Sequence, residues 1–220
     1  MRSYISPSRT GVKPTLDRLA DMSELQELTI RSHKHGGEVL MPPKQFLALG
    51  ALTNLSTLRI GDSFLPDITF TGADARTMFS GLGALENLTI SLSADTDDDE
   101  YPKHILRAIS RYCPRLKSIE FVGQLHLSCL EGADAPRFEN VTEMAVDMLH
   151  TDLSEYETAW DINYAVPELV LLRCTSNDLP TEEICTAYTE LQHPVRSNGL
   201  KPLFTRYNES VNPSCLPLFV

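Results

Sequence analysis

The sequence lacks a long apolar run, an excess of basic residues and the short motifs of known catalytic sites. No segment approaches the roughly 18 apolar residues that a membrane-spanning helix requires, so no membrane contact is expected. Residues 1–14 carry basic side chains without an apolar run after them, which is not the pattern of a secretory signal. The 30 acidic and 19 basic residues give a net charge of −11. Because such a chain repels phosphate backbones, we expect no nucleic-acid partner.

Cysteine is scarce, and its positions follow no pattern of a metal site. The five cysteines are spread over the second half of the chain, and none belongs to a CxxC pair. An odd number of scattered thiols is typical of a reducing compartment, so the cytoplasm or the nucleus is the expected location. His33 and His35 are close in sequence but lie on a polar segment, where exposure to solvent is more common than metal binding. We therefore expect no metal and no other cofactor.

Catalytic signatures are absent as well. The sequence has no GxSxG elbow, no HExxH motif, no phosphate-binding loop and no GxGxxG motif. Cys113 ends a predicted helix, where the helix dipole opposes a thiolate, so a place in the core is expected for it. These absences predict a protein that is not an enzyme. An enzyme whose site is assembled from distant residues stays an alternative.

The sequence does contain a ten-residue unit that recurs at a fixed interval. DMSELQELTI, ALTNLSTLRI and GLGALENLTI occupy residues 21–30, 51–60 and 81–90. With Leu25, Leu55 and Leu85 as position 0, apolar residues stand at positions −3, 0, +3 and +5 of each unit. Three further units fit the same columns, and successive units are 25 to 31 residues apart; their position-0 residues are Leu116, Val141 and Leu169.

This spacing predicts short strands that alternate with helices. Side chains at +3 and +5 lie on the same face of a strand. Between the strands, Ile105–Tyr112 and Ile184–Leu191 have apolar residues at helical spacing, as do Tyr156, Trp160 and Tyr164, which we expect to form one buried helical face. A single strand–helix unit cannot bury its apolar face, whereas stacked copies share one core. The expected fold class is therefore α/β with a parallel sheet.

Residues 105–121, ILRAISRYCPRLKSIEF, resemble a repeat of the leucine-rich-repeat family, of the ribonuclease-inhibitor-like or cysteine-containing type. The shared features are a helix that ends in Cys-Pro and a following LxxIxF segment. The resemblance covers about residues 15–175 and implies a solenoid of about six irregular repeats, a curved parallel sheet with helices on its convex side. The chain is also similar to the repeats that follow the F-box in substrate receptors of ubiquitin ligases, of a type common in fungi, but the residues of this sequence before its first unit are too few to form an F-box.

These patterns divide the chain into three parts. Residues 1–14 are expected to form an N-terminal extension and residues 15–176 the leucine-rich-repeat solenoid. Residues 177–220 are expected to supply a C-terminal helix and a segment that caps the stack. Within that segment GLKPLFT is a candidate degenerate seventh repeat, with Leu200 at position 0 and Leu203 at +3.

Positions +2 and +4 alternate with the buried columns and should line the concave face of the sheet. The expected surface is polar, and its second half is acidic. The candidate partner-binding residues are Glu27, Thr29, Thr57, Arg59, Asn87, Thr89, Ser118, Glu120, Glu143, Asp147 and Arg173. Ordinary solvated strand faces are the alternative interpretation of the same residues. The acidic stretch within residues 93–101 is expected to be a solvated loop at the rim.

The resulting functional expectation is a non-catalytic module that binds a protein partner on its concave strand face. The resemblance implies a sharper form, the substrate-recognition part of an F-box-type ubiquitin ligase subunit, with a ligase scaffold as a second partner if a longer form carries an F-box. A leucine-rich-repeat regulator of an enzyme, such as a small GTPase, is one alternative. An orphaned repeat fragment without retained activity is another.

Overall fold

The structure is a computed structural model in which part of the chain is described. The described residues are 2–5, 22–30, 39–41, 43–61, 64–66, 70–91, 100–131, 134–174, 184, 186–188, 191 and 203–206. Side chains are described for all of these except residues 2–5, 39–41, 64–66, 100–101 and 203–206. The His33–His35 pair and residues 95–99 of the acidic stretch lie outside the described residues.

Short strands and helices alternate along the chain. The strands are β1 Arg2–Ile5, β2 Glu27–Ile30, β3 Val39–Met41, β4 Thr57–Ile60, β5 Phe64–Pro66, β6 Asn87–Ser91, β7 Ser118–His126, β8 Glu143–His150, β9 Leu171–Cys174 and β10 Leu203–Arg206. The helices whose bounds are described are α1 Pro43–Leu49, α2 Gly72–Ser80, α3 Glu100–Tyr112 and α4 Glu155–Ala165, and Leu127–Leu130 form a 3-10 turn. The described residues 184, 186–188 and 191 are also helical.

Eight of these strands form one sheet in which every neighbouring pair is parallel. Their order is β1-β2-β4-β6-β7-β8-β9-β10, so the chain moves across the sheet in one direction. The two remaining strands, β3 and β5, pair in parallel with each other. The predicted α/β class with a parallel sheet is confirmed.

Backbone hydrogen bonds repeat from one unit to the next. The carbonyl at position +1 of a unit accepts two N–H groups, those of positions +1 and +2 in the following unit. The Gln26 carbonyl accepts from Ser56 and Thr57, and the Ser56 carbonyl accepts from Glu86 and Asn87 at 2.8 to 3.0 Å. The carbonyls of Glu86, Lys117 and Thr142 repeat this pattern. The sequence repeat is therefore also a repeat of backbone geometry.

The predicted apolar columns form the core of the molecule. Every residue at positions −3, 0, +3 and +5 of the six units is buried except Met22, which is 38% exposed. Met22 belongs to the first of the six units and is the first residue of the described range 22–30. Helix residues such as Phe46, Phe79 and Ile109 join the same core cluster. Phe70 packs edge-on against Phe46, with ring centroids 5.5 Å apart.

Two helices begin with complete capping boxes. Thr71 caps α2 and exchanges hydrogen bonds with Asp74, and Ser154 caps α4 and does the same with Glu157. The hydrogen bonds from Thr71 lower the pKa of the Asp74 carboxyl, and those from Ser154 lower the pKa of Glu157. The charged carboxylate accepts these bonds, so each cap is at full strength near neutral pH.

Helix α4 is present as predicted, but its aromatic residues are not buried. Tyr156, Trp160 and Tyr164 are 53%, 56% and 47% exposed. The buried face of α4 instead consists of mostly small residues, which let the helix approach its neighbours closely: Thr158, Ala159, Ile162 and Ala165. The prediction of a buried aromatic face was therefore wrong. Thr158, Ala159, Ile162 and Ala165 have helical spacing too, and it is their face of α4 that is buried.

Both edges of the sheet contain strands beyond the six predicted ones. At one edge β1 pairs with β2, placing Arg2 beside Glu27. At the other, β10 pairs with β9 and lies within GLKPLFT, but its register differs by one residue from the predicted one. Phe204, rather than Leu203, is aligned with Leu172 at position +3. Because side chains alternate between faces, that one-residue shift reverses the face assigned to every residue of the strand.

Successive units approach closely where α1 and α2 end. A Cβ atom at Gly81 would lie 1.8 Å from the Gly50 carbonyl oxygen, and one at Gly50 would lie 2.8 Å from the Met78 carbonyl oxygen. Neither glycine has a positive φ angle, and Gly81 has φ −86°. Glycine is required here because no side chain fits between the two backbones.

Candidate protein-interaction surface

Ten of the eleven candidate residues lie in two straight rows across the sheet, which we call the first row and the second row, and Leu171 and Ala145 complete these rows. In the first row each residue is directly aligned with the next: Glu27, Thr57, Asn87, Ser118, Glu143 and Leu171. In the second row the aligned residues are Thr29, Arg59, Thr89, Glu120, Ala145 and Arg173. All twelve are half-buried or exposed, whereas their neighbours at +3 and +5 are buried.

Side chains of the first row contact each other between strands. The Asn87 amide donates to the Thr57 hydroxyl at 3.4 Å. Glu143 and Arg173 form a diagonal ion pair between the two rows at 3.9 Å, with side chains 50% and 38% exposed. An ion pair that is this open to water contributes little to stability. Loss of this ion pair on binding would therefore cost little stability, although the Nε atom of Arg173 is itself buried.

The second row alternates in charge. Arg59 is exposed on β4, and the Thr89 hydroxyl on β6 donates to the exposed Glu120 carboxylate on β7 at 2.8 Å. Ala145 follows on β8, and Arg173 follows on β9. The row thus presents a cation, a hydroxyl-supported anion, a small apolar side chain and a second cation, a pattern suited to polar recognition with defined positions.

Asp147 lies beyond both rows and has a structural contact. The pairing of β7 with β8 changes register between Phe121 and Gln124, and Gly123 within this bulge has φ 96°. The Asp147 carboxylate accepts the Gly123 N–H at 3.0 Å. Asp147 therefore stabilises the bulge, and the acidic character of the second half of the surface depends chiefly on Glu120 and Glu143.

Cys113 is buried at the end of α3, and burial raises the pKa of its thiol to about 12. A neutral, enclosed thiol is a weak nucleophile. Cys129 and Cys174 are also buried as free thiols. The arrangement suits packing rather than chemistry.

The fold also brings together groups that are distant in sequence. His126 and His150, at the ends of β7 and β8, stack with ring centroids 5.2 Å apart beside a cavity of about 340 Å³ that Glu131 and Asp152 also line. In a separate group on α4, the pKa of the Asp161 carboxyl is raised, mainly by burial and to a smaller extent by the negative charges of Glu131 and Glu157. Only the parallel pairing of β7 and β8 reveals the histidine contact, because 24 residues separate the two in sequence.

The outward face of α4 forms a third group, the exposed aromatic ridge Tyr156, Trp160 and Tyr164. The Arg137 guanidinium lies 5.7 Å from the centre of the Tyr164 ring. Sequence spacing detected this ridge but placed it in the core.

A second cavity lies between α2 and α3 and is lined by arginines.

No group of three or more metal-ligating side chains occurs among the residues whose positions are described. Within the same part of the chain, no helix is both long and apolar enough to cross a membrane. No protein-family model matches the chain, and a search of curated proteins finds no match either. What can be said of function therefore comes from the surface chemistry of the chain itself.

Proposed function

We propose that the protein is a leucine-rich-repeat solenoid that binds another protein through the two rows on its sheet and has no catalytic activity of its own. The observation that carries this proposal is the polar, accessible face of a parallel sheet. All-parallel sheets normally have both faces covered by helices, and their strands are then apolar throughout. Here the strands alternate between buried apolar and accessible polar residues, as in repeat proteins that bind through the open side of their strands.

The repeated hydrogen bonds at position +1 support the solenoid. Each unit makes the same backbone contacts with the next, and the buried apolar columns run through all six units except at the exposed Met22. Such an array has a stiff, preorganised surface, which lowers the entropy cost of binding. The exposed members of the two rows, Arg59, Asn87, Glu120 and Glu143, lie on four consecutive strands of the sheet.

Within this proposal, the sharper form is the substrate-recognition part of an F-box-type ubiquitin ligase subunit. It is favoured by the Cys-Pro unit at residues 113–114, where Cys113 fills the core below the strand. In this form the scaffold of the ligase would be a partner of a longer chain that carries an F-box. A regulator of an enzyme such as a small GTPase is the second candidate, supported by the carboxylates of Glu120 and Glu143.

The proposal is tested by charge reversal on the rows. Affinity capture from source-cell lysate should compare the wild type with the double variant Glu120→Lys/Glu143→Lys. The matched control is Glu24→Lys/Glu139→Lys, which changes the net charge equally at exposed positions outside the rows. We expect a partner that is lost in the first variant and retained in the control. Equal capture by all three proteins would place the binding surface elsewhere.

The identity of the captured protein separates the candidates. A ligase scaffold component or a ubiquitinated protein supports the substrate receptor, and a GTPase or another enzyme supports the regulator. A chain that folds normally but captures no protein in any form would be an orphaned repeat fragment, which contradicts the proposed function.

A further inference from the structure

A cavity of about 630 Å³ opens between α2 and α3, away from the two rows of the sheet. One wall is the first turn of α2 together with Arg76. The other is a face of α3 on which His104, Arg107 and Arg111 follow one another at helical spacing. Asp134 and Ala135 close one side.

The charge of this cavity is opposite to that of the chain. Three guanidinium groups line it, and Asp134 is the one carboxylate among the described lining residues. Even that carboxylate is not the partner of Arg107, whose Nε donates to the backbone oxygen of Asp134 at 3.0 Å. The ion pairs found within the described residues involve Arg115, Lys117, Arg137 and Arg173, and not these three arginines. The described side chains that line the cavity thus carry three positive charges and one negative charge, in a chain whose net charge is −11.

Several of the positive groups are held in place. Arg107 is held by its hydrogen bond to the Asp134 carbonyl. The Arg111 guanidinium lies 5.7 Å from the centre of the Tyr112 ring. A Cβ atom at Gly72 would come within 2.9 Å of the His104 ring, so glycine allows α2 and α3 to close this wall. Gly72 and Ala73 belong to the first turn of α2, where N–H groups carry partial positive charge.

We propose that this cavity binds a doubly charged anionic group of the phosphate-monoester class. Arginine presents planar pairs of N–H donors that match phosphate oxygens, and several arginines around one site favour a dianion over a single carboxylate. The group can belong to a phosphorylated side chain of a protein or to a small phosphate-bearing molecule. The site is independent of the proposed function, because it shares no residue with the two rows.

The test uses the 220-residue chain and two probes, inorganic phosphate and a short peptide that carries phosphoserine. Binding is followed by the arginine Nε–H signals in nuclear magnetic resonance and by calorimetry. The diagnostic variant is Arg76→Gln/Arg111→Gln, because both side chains are exposed and their loss should leave the fold intact. The matched control, Lys44→Gln/Arg115→Gln, removes two positive charges from exposed positions outside the cavity.

We expect saturable binding of at least one probe that shifts the Nε–H signal of Arg107. Affinity should fall by about tenfold or more in the diagnostic variant, since hydrogen bonds between charged groups are among the strongest in proteins, and it should stay within about twofold in the control. Tighter binding of the peptide than of inorganic phosphate would assign the site to phosphorylated protein segments. Equal binding of both would assign it to small phosphate-bearing molecules.

Two results would overturn the inference. One is the absence of saturable binding of either probe at low ionic strength, where electrostatic attraction is strongest. The other is an equal loss of affinity in the diagnostic and control variants, because binding would then reflect net charge alone and not the cavity. A circular dichroism spectrum and a melting curve for each variant exclude unfolding as the cause of a loss.

Discussion

Replacing Gly81 with alanine should strongly destabilise the protein, because the added methyl group has no room. Its Cβ atom would lie 1.8 Å from the Gly50 carbonyl oxygen, so α1 and α2 would have to separate by about an ångström or more at their ends. Overpacking of this kind typically costs about 1–3 kcal/mol. Alanine also lowers the conformational entropy of the unfolded chain, which offsets about 0.4–1 kcal/mol of this cost. Because a separation of 1.8 Å is a severe overlap, we take the upper end of the overpacking cost and expect a net loss of about 2 kcal/mol.

Gly83→Ala is the matched control. A Cβ atom at Gly83 would have the Tyr112 carbonyl oxygen as its nearest contact, at 3.9 Å, which is an ordinary van der Waals distance. Only the effect on the unfolded chain remains, so this variant should be neutral or slightly more stable than the wild type. Both substitutions lie in the same short connection, and they differ chiefly in the contact with the preceding unit.

Urea denaturation followed by circular dichroism measures the difference. A change in the midpoint at constant slope reports stability alone, and for a chain of this size a loss of about 2 kcal/mol corresponds to a fall in Tm of about 4–8 °C. If the unfolding free energies of Gly81→Ala and Gly83→Ala differ by less than about 0.5 kcal/mol, successive units do not pack as closely at Gly81 as the structure shows.

Three further predictions concern the described helices. Trp160→Ala should cost less than about 1 kcal/mol of unfolding free energy in a thermal melt, because the indole is 56% exposed, whereas Ile162→Ala on the buried face should cost about 2–5 kcal/mol. Cys113 should not react with a thiol reagent at pH 8 in the folded protein, because burial raises its pKa to about 12; mass spectrometry locates the labelled peptide. Thr71→Ala should cost about 1 kcal/mol at neutral pH, and this cost should shrink as the pH falls below 3.8.

The sign of the last effect follows from the lowered pKa of Asp74. A carboxyl whose pKa is lower in the folded state stabilises the fold above its unfolded pKa, and this contribution is lost as the pH falls through the folded value. A cost of Thr71→Ala that is constant down to pH 2 would mean that the hydrogen bond from the Thr71 hydroxyl to the Asp74 carboxylate does not contribute to it. Equal costs of Trp160→Ala and Ile162→Ala would mean that α4 packs by its aromatic face. Rapid labelling of Cys113 in the native state would mean that the end of α3 is open.

The periodic apolar residues predicted the class of the fold and the core. Position 0 at Leu25, Leu55 and Leu85 marks three of the repeating strand approaches, and all three side chains are buried. The two rows were predictable for the same reason, since residues that alternate with a buried column must lie on the other face. Such local rules succeed because each unit repeats the same contacts with its neighbour.

Other features depend on contacts that no local pattern encodes. The spacing of the aromatic residues of α4 does not show whether their face is buried or exposed. The face of small residues around Ala159 packs against the core instead. The register of β10 is set by its pairing with β9, and neither Leu200 nor Leu203 determines it. The arginine-lined cavity joins Arg76 to residues of α3 that are about thirty positions away, so it becomes visible only after α2 and α3 are packed.

The central claim, that the two rows bind a protein, is tested most directly by site-specific photocrosslinking. A photoreactive phenylalanine derivative replaces Asn87, which is exposed in the middle of the first row, or Glu139, whose side chain is 74% exposed outside both rows. The account predicts that a protein in source-cell lysate crosslinks to position 87 and not to position 139. Crosslinks from position 139 alone, or from both positions equally, would contradict it.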